Sequence, residues 1–139
     1  MLQHFKTLRI HTRGRGLHGF TDELVGWLDH VGARDGLVTL FIRHTSASLL
    51  VQENADPDVL GDLERFFSRL VPDGEAMYRH AAEGPDDMPS HVRAALTQTQ
   101  VSIPVREGRP VLGTWQGLYV YEHRHASGAR EVALHYLGD

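Results

Sequence analysis

The chain has no cysteine and a single lysine, Lys6, among its 139 residues. The first absence excludes disulfides, thiolate metal sites and a cysteine nucleophile, so any metal must be held by imidazole nitrogen and by oxygen. The second leaves arginine as almost the whole cationic complement. Guanidinium groups suit bidentate recognition of phosphate or carboxylate, although arginine-rich codon usage produces the same excess. No uninterrupted apolar run approaches the roughly 18 residues of a membrane span, and the opening MLQHFKTLRIHTR alternates instead of forming the apolar block of a signal peptide. A soluble, cytoplasmic protein with no membrane partner is expected. Net positive charge is also missing: the formal charge is −4 and the pI near 6.2, which gives no general attraction for nucleic acid. There is no internal repeat and no linker, so residues 1–139 read as one domain.

What is present is the mixture of an ordinary globular domain, 41% hydrophobic and 23% charged,. HFKTLRIHT alternates as a strand and ends at the glycines of GRG. GFTDELVGWLDHVG has the spacing of a helix with Thr21 as its N-cap and Gly32 at its close. LVTLFIRH is a β-branched strand whose row Val38, Leu40, Ile42 ends on His44, and SLLVQEN follows as its hairpin or bent-ribbon partner. ADPDVLGDLERFFSRLVP carries Asp56 as N-cap, Pro57 at the first helical position and the stripe Val59, Leu60, Leu63, Phe66, Phe67, Leu70. DGEAMYRHAAEGPDDMPS has no period and reads as a long surface loop. A short helix through HVRAAL is predicted after Pro89, then strands at VSIPV, along RPVLGTWQGLYVYEHRH and at EVALHYL. Strands at both ends with helices between, and no regular βα alternation, predict an α+β domain with a mixed or antiparallel sheet. The long strand places Leu112, Leu118 and Val120 on one side and Trp115, Tyr119 and Tyr121 on the other, so its second face calls for a second sheet or another subunit.

Three polar segments stand out. His44 is either a hydrogen-bonded core histidine or a ligand at the rim, beside Thr45 and Ser46. Asn54, Asp56 and Asp58 lie where a strand passes into a helix, with Asp62 one turn further on; Asp56 alone is explained by capping, and a solvated carboxylate explains Asp62. The loop holds His80, Glu83, Asp86, Asp87 and His91 within twelve residues. Histidine with carboxylates can hold a divalent ion, but the spacing matches no short motif such as HExxH. His91, placed in the first turn of a helix, would be kept neutral by the helix dipole, as a ligand or base must be. In the third segment, GTWQG followed by YVYEHRH, Gln116 and Glu122 share a face with Leu118 and Val120. A glutamate on a buried row needs a cation or donor, which Arg124 or Arg130 could supply.

The combination of HTSASL with a continuing E-N-x-D-P, the run H-x(2)-E-G-x-D-D-M-P-S-H, G-T-W-Q-G and a following E-H-R closely resembles the YjbQ family, also called the secondary thiamine-phosphate synthase family. The likeness covers essentially the whole chain. It implies a compact α+β fold with a bent, β-sandwich-like sheet carrying the helices, assembled as a homotrimer. It further implies a low thiamine-phosphate synthase activity, joining hydroxymethylpyrimidine diphosphate to thiazole phosphate with release of pyrophosphate. The matching positions are His44, Thr45, Ser46, Asn54, Asp62, His80, His91, Trp115, Gln116 and Glu122. The loop belongs to the MPSH form, and HRHASGAR replaces a Gly-Pro-Arg turn, leaving Arg130 as the counterpart of that arginine.

The functional expectation is therefore a transferase acting on a small phosphorylated substrate. In it His44, His80 and His91 would hold a divalent cation, Mg²⁺ or a transition metal such as Zn²⁺. His44, His91, Glu122 and Asp62 would carry the chemistry, and Thr45, Ser46, Asn54, Gln116, Arg124 and Arg130 would bind substrate, the arginines stabilising the leaving diphosphate. Two alternatives compete with it: a trimeric metal- or small-molecule-binding protein whose activity is incidental, and a metal-assisted hydrolase.

Overall fold

The computed structural model describes residues 1–139. In chain order it runs β1 (Leu2–Thr12), β2 (Gly16–Gly19), α1 (Thr21–His30), β3 (Gly36–Ile42), β4 (Ala47–Glu53), α2 (Pro57–Leu70), α3 (Asp87–Leu96), β5 (Gln100–Arg106), β6 (Arg109–Pro110), β7 (Gln116–Glu122) and β8 (Gly128–Gly138). A five-stranded sheet has the order β1-β8-β3-β5-β6 and a three-stranded sheet the order β2-β7-β4. Every pairing is antiparallel. This is the α+β, sandwich-like architecture expected.

Alternation along the strands decides the layers. Val38, Leu40 and Ile42 of β3, Val132, Leu134 and Tyr136 of β8, and Ile103 and Val105 of β5 meet Ala47 and Leu49 of β4 and Leu118 and Val120 of β7 in one core. Phe20, Leu24, Trp27 and Leu28 of the α1 region close it. The other face of the small sheet is covered within the chain. Tyr121 packs edge-on against Phe67 at 5.6 Å and donates its hydroxyl to Glu64 at 3.0 Å, both residues of α2. Arg93 of α3, fully buried, donates to Glu64 at 2.7 Å and to Ser68 at 3.3 Å and so ties the two helices together.

Several local expectations change. β3 and β4 do not pair with each other; the chain bends at 43–46 and passes from one sheet to the other. The expected long strand is broken: β6 lies in the large sheet and β7 in the small one, joined through a turn that leaves Trp115 65% exposed. The second face of β7 is thus covered by α2, not by another subunit. Thr21 does not cap α1, because Phe20 holds that position; the Thr21 hydroxyl instead accepts the Leu118 amide at 2.9 Å and tethers the helix to β7. Asp56 does cap α2, accepting the Asp58 amide at 2.9 Å. The stripe of α2 is only half covered, with Phe66 and Leu70 exposed.

The third helix begins at Asp87, two residues before Pro89. Proline is tolerated there because the first-turn amides have no helical acceptor to lose. The shift moves His91 out of the first turn, so the dipole argument no longer applies to it. It also puts Asp87 and His91 four residues apart on one helical face.

Candidate metal centre at one end of the sandwich

Three chain segments meet at one end of the fold: the 43–46 crossing, the 122–131 turn from β7 into β8, and the loop that leads into α3. In their midst His80 Nε2 lies 2.6 Å and His91 Nε2 lies 3.1 Å from the same oxygen, Oδ2 of Asp87. The two imidazole centroids are 5.3 Å apart, and one ligand atom from each of the three residues falls within 4.8 Å of the others. Tetrahedral Zn²⁺ with bonds of about 2.0–2.2 Å sets its ligand atoms roughly 3.3 Å apart. The three donors already converge at close to that scale.

Two of the three donors, His91 and Asp87, are held from behind. His91 Nδ1 is 2.9 Å from the Thr45 carbonyl, which can only accept, so Nδ1 carries a proton and Nε2 is the nitrogen that faces Asp87, a lone pair in the neutral ring and a donor in the imidazolium. Asp87, with a side chain 3% exposed, receives Arg124 Nη1 on Oδ1 at 2.5 Å, leaving Oδ2 for the histidines. Burial alone would raise the Asp87 carboxyl; the His80 hydrogen bond and the Arg124 charge outweigh it and hold the pKa below the usual carboxylate range,. Arg124 also donates to Asp86 at 3.1 Å and to the Glu83 carbonyl at 2.9 Å, which fixes the loop.

A second polar cluster lies across the 43–46 crossing. Glu122, on the core row of β7, accepts Thr12 Oγ1 at 2.7 Å, Arg130 Nε at 2.8 Å and the Arg124 amide at 3.2 Å. Arg130 Nη2 grips its second oxygen as well as Ser46 Oγ. Burial pushes Glu122 up, but these donors bring its pKa below the usual value. His44 Nε2 accepts the Glu131 amide at 2.8 Å. Burial and the Arg130 charge lower its pKa.

A family model described as UPF0047 protein YjbQ-like matches residues 6–139. The chain belongs to this family. It is 52% identical over 137 residues to the UPF0047 protein sll1880 of Synechocystis, covering 99% of this chain and 93% of that one. It is 44% identical over 135 residues to the UPF0047 protein YjbQ of Escherichia coli O157:H7, covering 96% and 97%. Among solved structures, the conserved hypothetical protein TT1486 from Thermus thermophilus superposes with a TM-score of 0.85 at 32% identity, over 95% of this chain and 99% of that one.

The YjbQ-like motif residues do not all serve one place. His80 and His91 come together, but the third member of their set is Asp87, not His44, whose Nε2 is taken by a backbone amide. Thr45 contributes its carbonyl and Ser46 its hydroxyl. Arg124 and Arg130, expected to hold substrate, are each engaged by a buried carboxylate. Asn54 and Gln116 sit at the other end of β7, roughly 20 Å from Glu122 at about 3.3 Å per strand residue. There Asn54 donates to the Thr114 and Gln116 carbonyls, and Gln116 accepts the Gly113 amide, shaping the turn that exposes Trp115. Asp62 lies in solvent on α2, paired with Arg65, so nothing brings it to the site.

Other functional positions escape sequence reasoning. Asp87 stands in the sequence only as one acid in a run; its D-x(3)-H spacing becomes meaningful once the helix is allowed to start ahead of Pro89. Ser48 and His123 are both fully buried and linked at 2.9 Å through His123 Nε2. Burial, then the Arg93 charge, pulls the His123 pKa down to about 3. With no access to solvent, the pair is a structural contact on the back of the small sheet, not a nucleophile and its base.

Proposed function

We propose that this YjbQ-like protein is a metal-dependent enzyme in which His80, Asp87 and His91 hold one divalent ion, with a coordination position left for substrate or water. The observation that carries the reading is the contact of His91 Nε2 with Asp87 Oδ2 at 3.1 Å. With Nδ1–H given to Thr45, the neutral tautomer of His91 would set its Nε2 lone pair against a carboxylate oxygen,. A proton on Nε2 or a metal ion between them removes that repulsion, and the convergence of His80 Nε2 on the same oxygen at 2.6 Å favours the metal ion. Two imidazoles and one carboxylate suit Zn²⁺ or a neighbouring transition metal better than Mg²⁺, which favours oxygen ligands and retained water. Such an ion polarises a substrate oxygen and activates water. Around it the chain's own groups orient: Thr45 sets the His91 tautomer, and Arg124 turns Asp87 so that one oxygen faces inward.

Metal-assisted hydrolysis is the reaction class that this arrangement supports best. The thiamine-phosphate synthase reaction that the family resemblance implies needs free cations for the leaving diphosphate, and Arg124 and Arg130 are already paired. Arg79, exposed and next to His80, is the feature that favours this second reading. Purified protein, stripped and reloaded with Zn²⁺ or Mg²⁺, separates the two when assayed with a panel of esters and amides and with the pyrimidine diphosphate and thiazole phosphate pair. We expect Zn²⁺-dependent turnover that falls at least about 100-fold in His91→Ala, a loss on the scale of a missing ligand or base. Turnover indifferent to both metal and His91 would overturn the reading.

The homotrimer implied by the family is also proposed, on different grounds from the broken strand. The outer face of the five-stranded sheet carries no helix and leaves Phe5, Leu37, Phe41 and Leu137 exposed, aligned by strand register. Rows of this kind mark association surfaces. Light scattering at micromolar concentration should return three chain masses, and a monomer mass would refute it.

A further inference from the structure

We infer that the substrate of this centre carries a compact, uncharged apolar group, which is received in the cavity beside His80. The inference rests on the proposed metal site and adds the class of molecule that it takes. The cavity, of about 370 Å³, is bounded by Tyr78, His80, Ala81, Pro85, Met88 and Pro89. That volume is within the range of small-molecule sites. No arginine or lysine lines it, and its one acidic liner, Glu75, would repel an anion. The diphosphate or phosphate end of a substrate is therefore excluded from it. Its wall is also prepared before any ligand arrives: the Gly74 amide donates to the Pro85 carbonyl at 3.1 Å, closing the neck of the loop, and Arg124 holds the Glu83 carbonyl from outside. Gly74 and Gly84, at φ of +71° and +109°, turn the loop where a side chain would strain it,. His80 belongs both to this wall and to the histidine–carboxylate cluster, so a group lodged in the cavity keeps the remainder of the molecule next to the metal. The larger cleft, about 730 Å³ between α1 and the β5–β6 turn, has Arg34, Arg109, Asp29 and Glu107 on its walls. It lies by the start of β3, away from His44 and the cluster, and has no such link to a ligand set.

The test uses the intact protein loaded with Co²⁺, whose visible band reports ligands entering the coordination sphere, and three probes sharing one metal-binding head. These are acetohydroxamate, benzohydroxamate and 4-carboxybenzohydroxamate. Benzohydroxamate should saturate the band at a concentration about tenfold lower than acetohydroxamate, because its ring leaves water for the cavity. The 4-carboxy compound should lose that gain. Ala81→Phe, at an exposed loop position, should fill the cavity and bring benzohydroxamate down to the acetohydroxamate level without changing the cobalt band itself. Tyr78→Ala should reduce the gain by removing a wall. Equal binding of the first two probes, no response to benzohydroxamate at millimolar concentration, or undiminished binding of the carboxylated probe each overturns the inference while leaving the metal site standing. Failure of Co²⁺ to form a band in the parent protein overturns the metal site and this inference with it.

Discussion

Arg124 uses only one oxygen of Asp87. Its Nη1 donates to Oδ1 at 2.5 Å, and Oδ2 is left 2.6 Å from His80 and 3.1 Å from His91. The arginine that the sequence suggested for substrate is a positioning group for a ligand. Arg124→Met should accordingly weaken metal affinity about 10–100-fold, the usual cost of losing a group that orients a ligand. A competition titration against a chromophoric chelator, corrected for folded fraction, measures it. Unchanged affinity with a lowered melting temperature would reduce Arg124 to a loop staple.

His123 should make stability depend on pH well above the range in which carboxylates titrate. Its folded pKa of about 3 lies below the roughly 6.5 of an unfolded histidine. Above pH 6.5 neither state binds the proton. Below it the unfolded chain takes one up and the folded chain does not, so stability falls by roughly 1.4 kcal/mol per unit as pH drops toward 3. The lowered pKa of His44 acts in the same direction. Asp73, Asp86, Asp87 and Glu122, all held below their usual values, add a further loss once pH falls below about 4. Urea unfolding between pH 5 and 8 should show the slope, and His123→Gln should flatten much of it. A variant with the parental slope would contradict this.

Glu122→Gln should be among the most damaging single substitutions at this end of the fold. It leaves Arg130, 12% exposed, without its counter-charge. Removing one partner of a buried pair typically costs about 3–5 kcal/mol. Denaturant unfolding checks this, and a loss near zero would mean that water reaches Arg130 freely.

Much of this architecture is legible in the sequence because periodicity and turn chemistry are local. The row Val38, Leu40, Ile42 and the Asp56–Pro57 helix start follow directly from it, and so does the need of Glu122 for an arginine. What fails depends on distant contacts or on one misplaced boundary. Starting the third helix after Pro89 hides the pairing of Asp87 with His91. Joining β6 to β7 hides the passage between sheets and makes Trp115 a core residue. His44 follows the strand row to the rim as expected. Only the bend at 43–46 and the approach of β8 decide that it meets Glu131, and neither is written in its neighbourhood.

Asp62→Asn provides a control for the removal of Asp62 from the site. Its carboxylate lies in solvent beside Arg65, so metal affinity, turnover and melting should stay at parental values, as exposed pairs contribute little. Loss of turnover without loss of stability would return Asp62 to the site.

The most direct measurement is equilibrium Zn²⁺ binding to the metal-stripped protein and to its Asp87→Ala, His91→Ala and His44→Ala variants. One site per chain is expected, weakened at least about 100-fold in Asp87→Ala and His91→Ala, each of which removes a ligand atom. His44→Ala should bind as the parent does. Parental affinity in Asp87→Ala, or a loss in His44→Ala as large as in His91→Ala, would contradict the assignment of the centre to His80, Asp87 and His91.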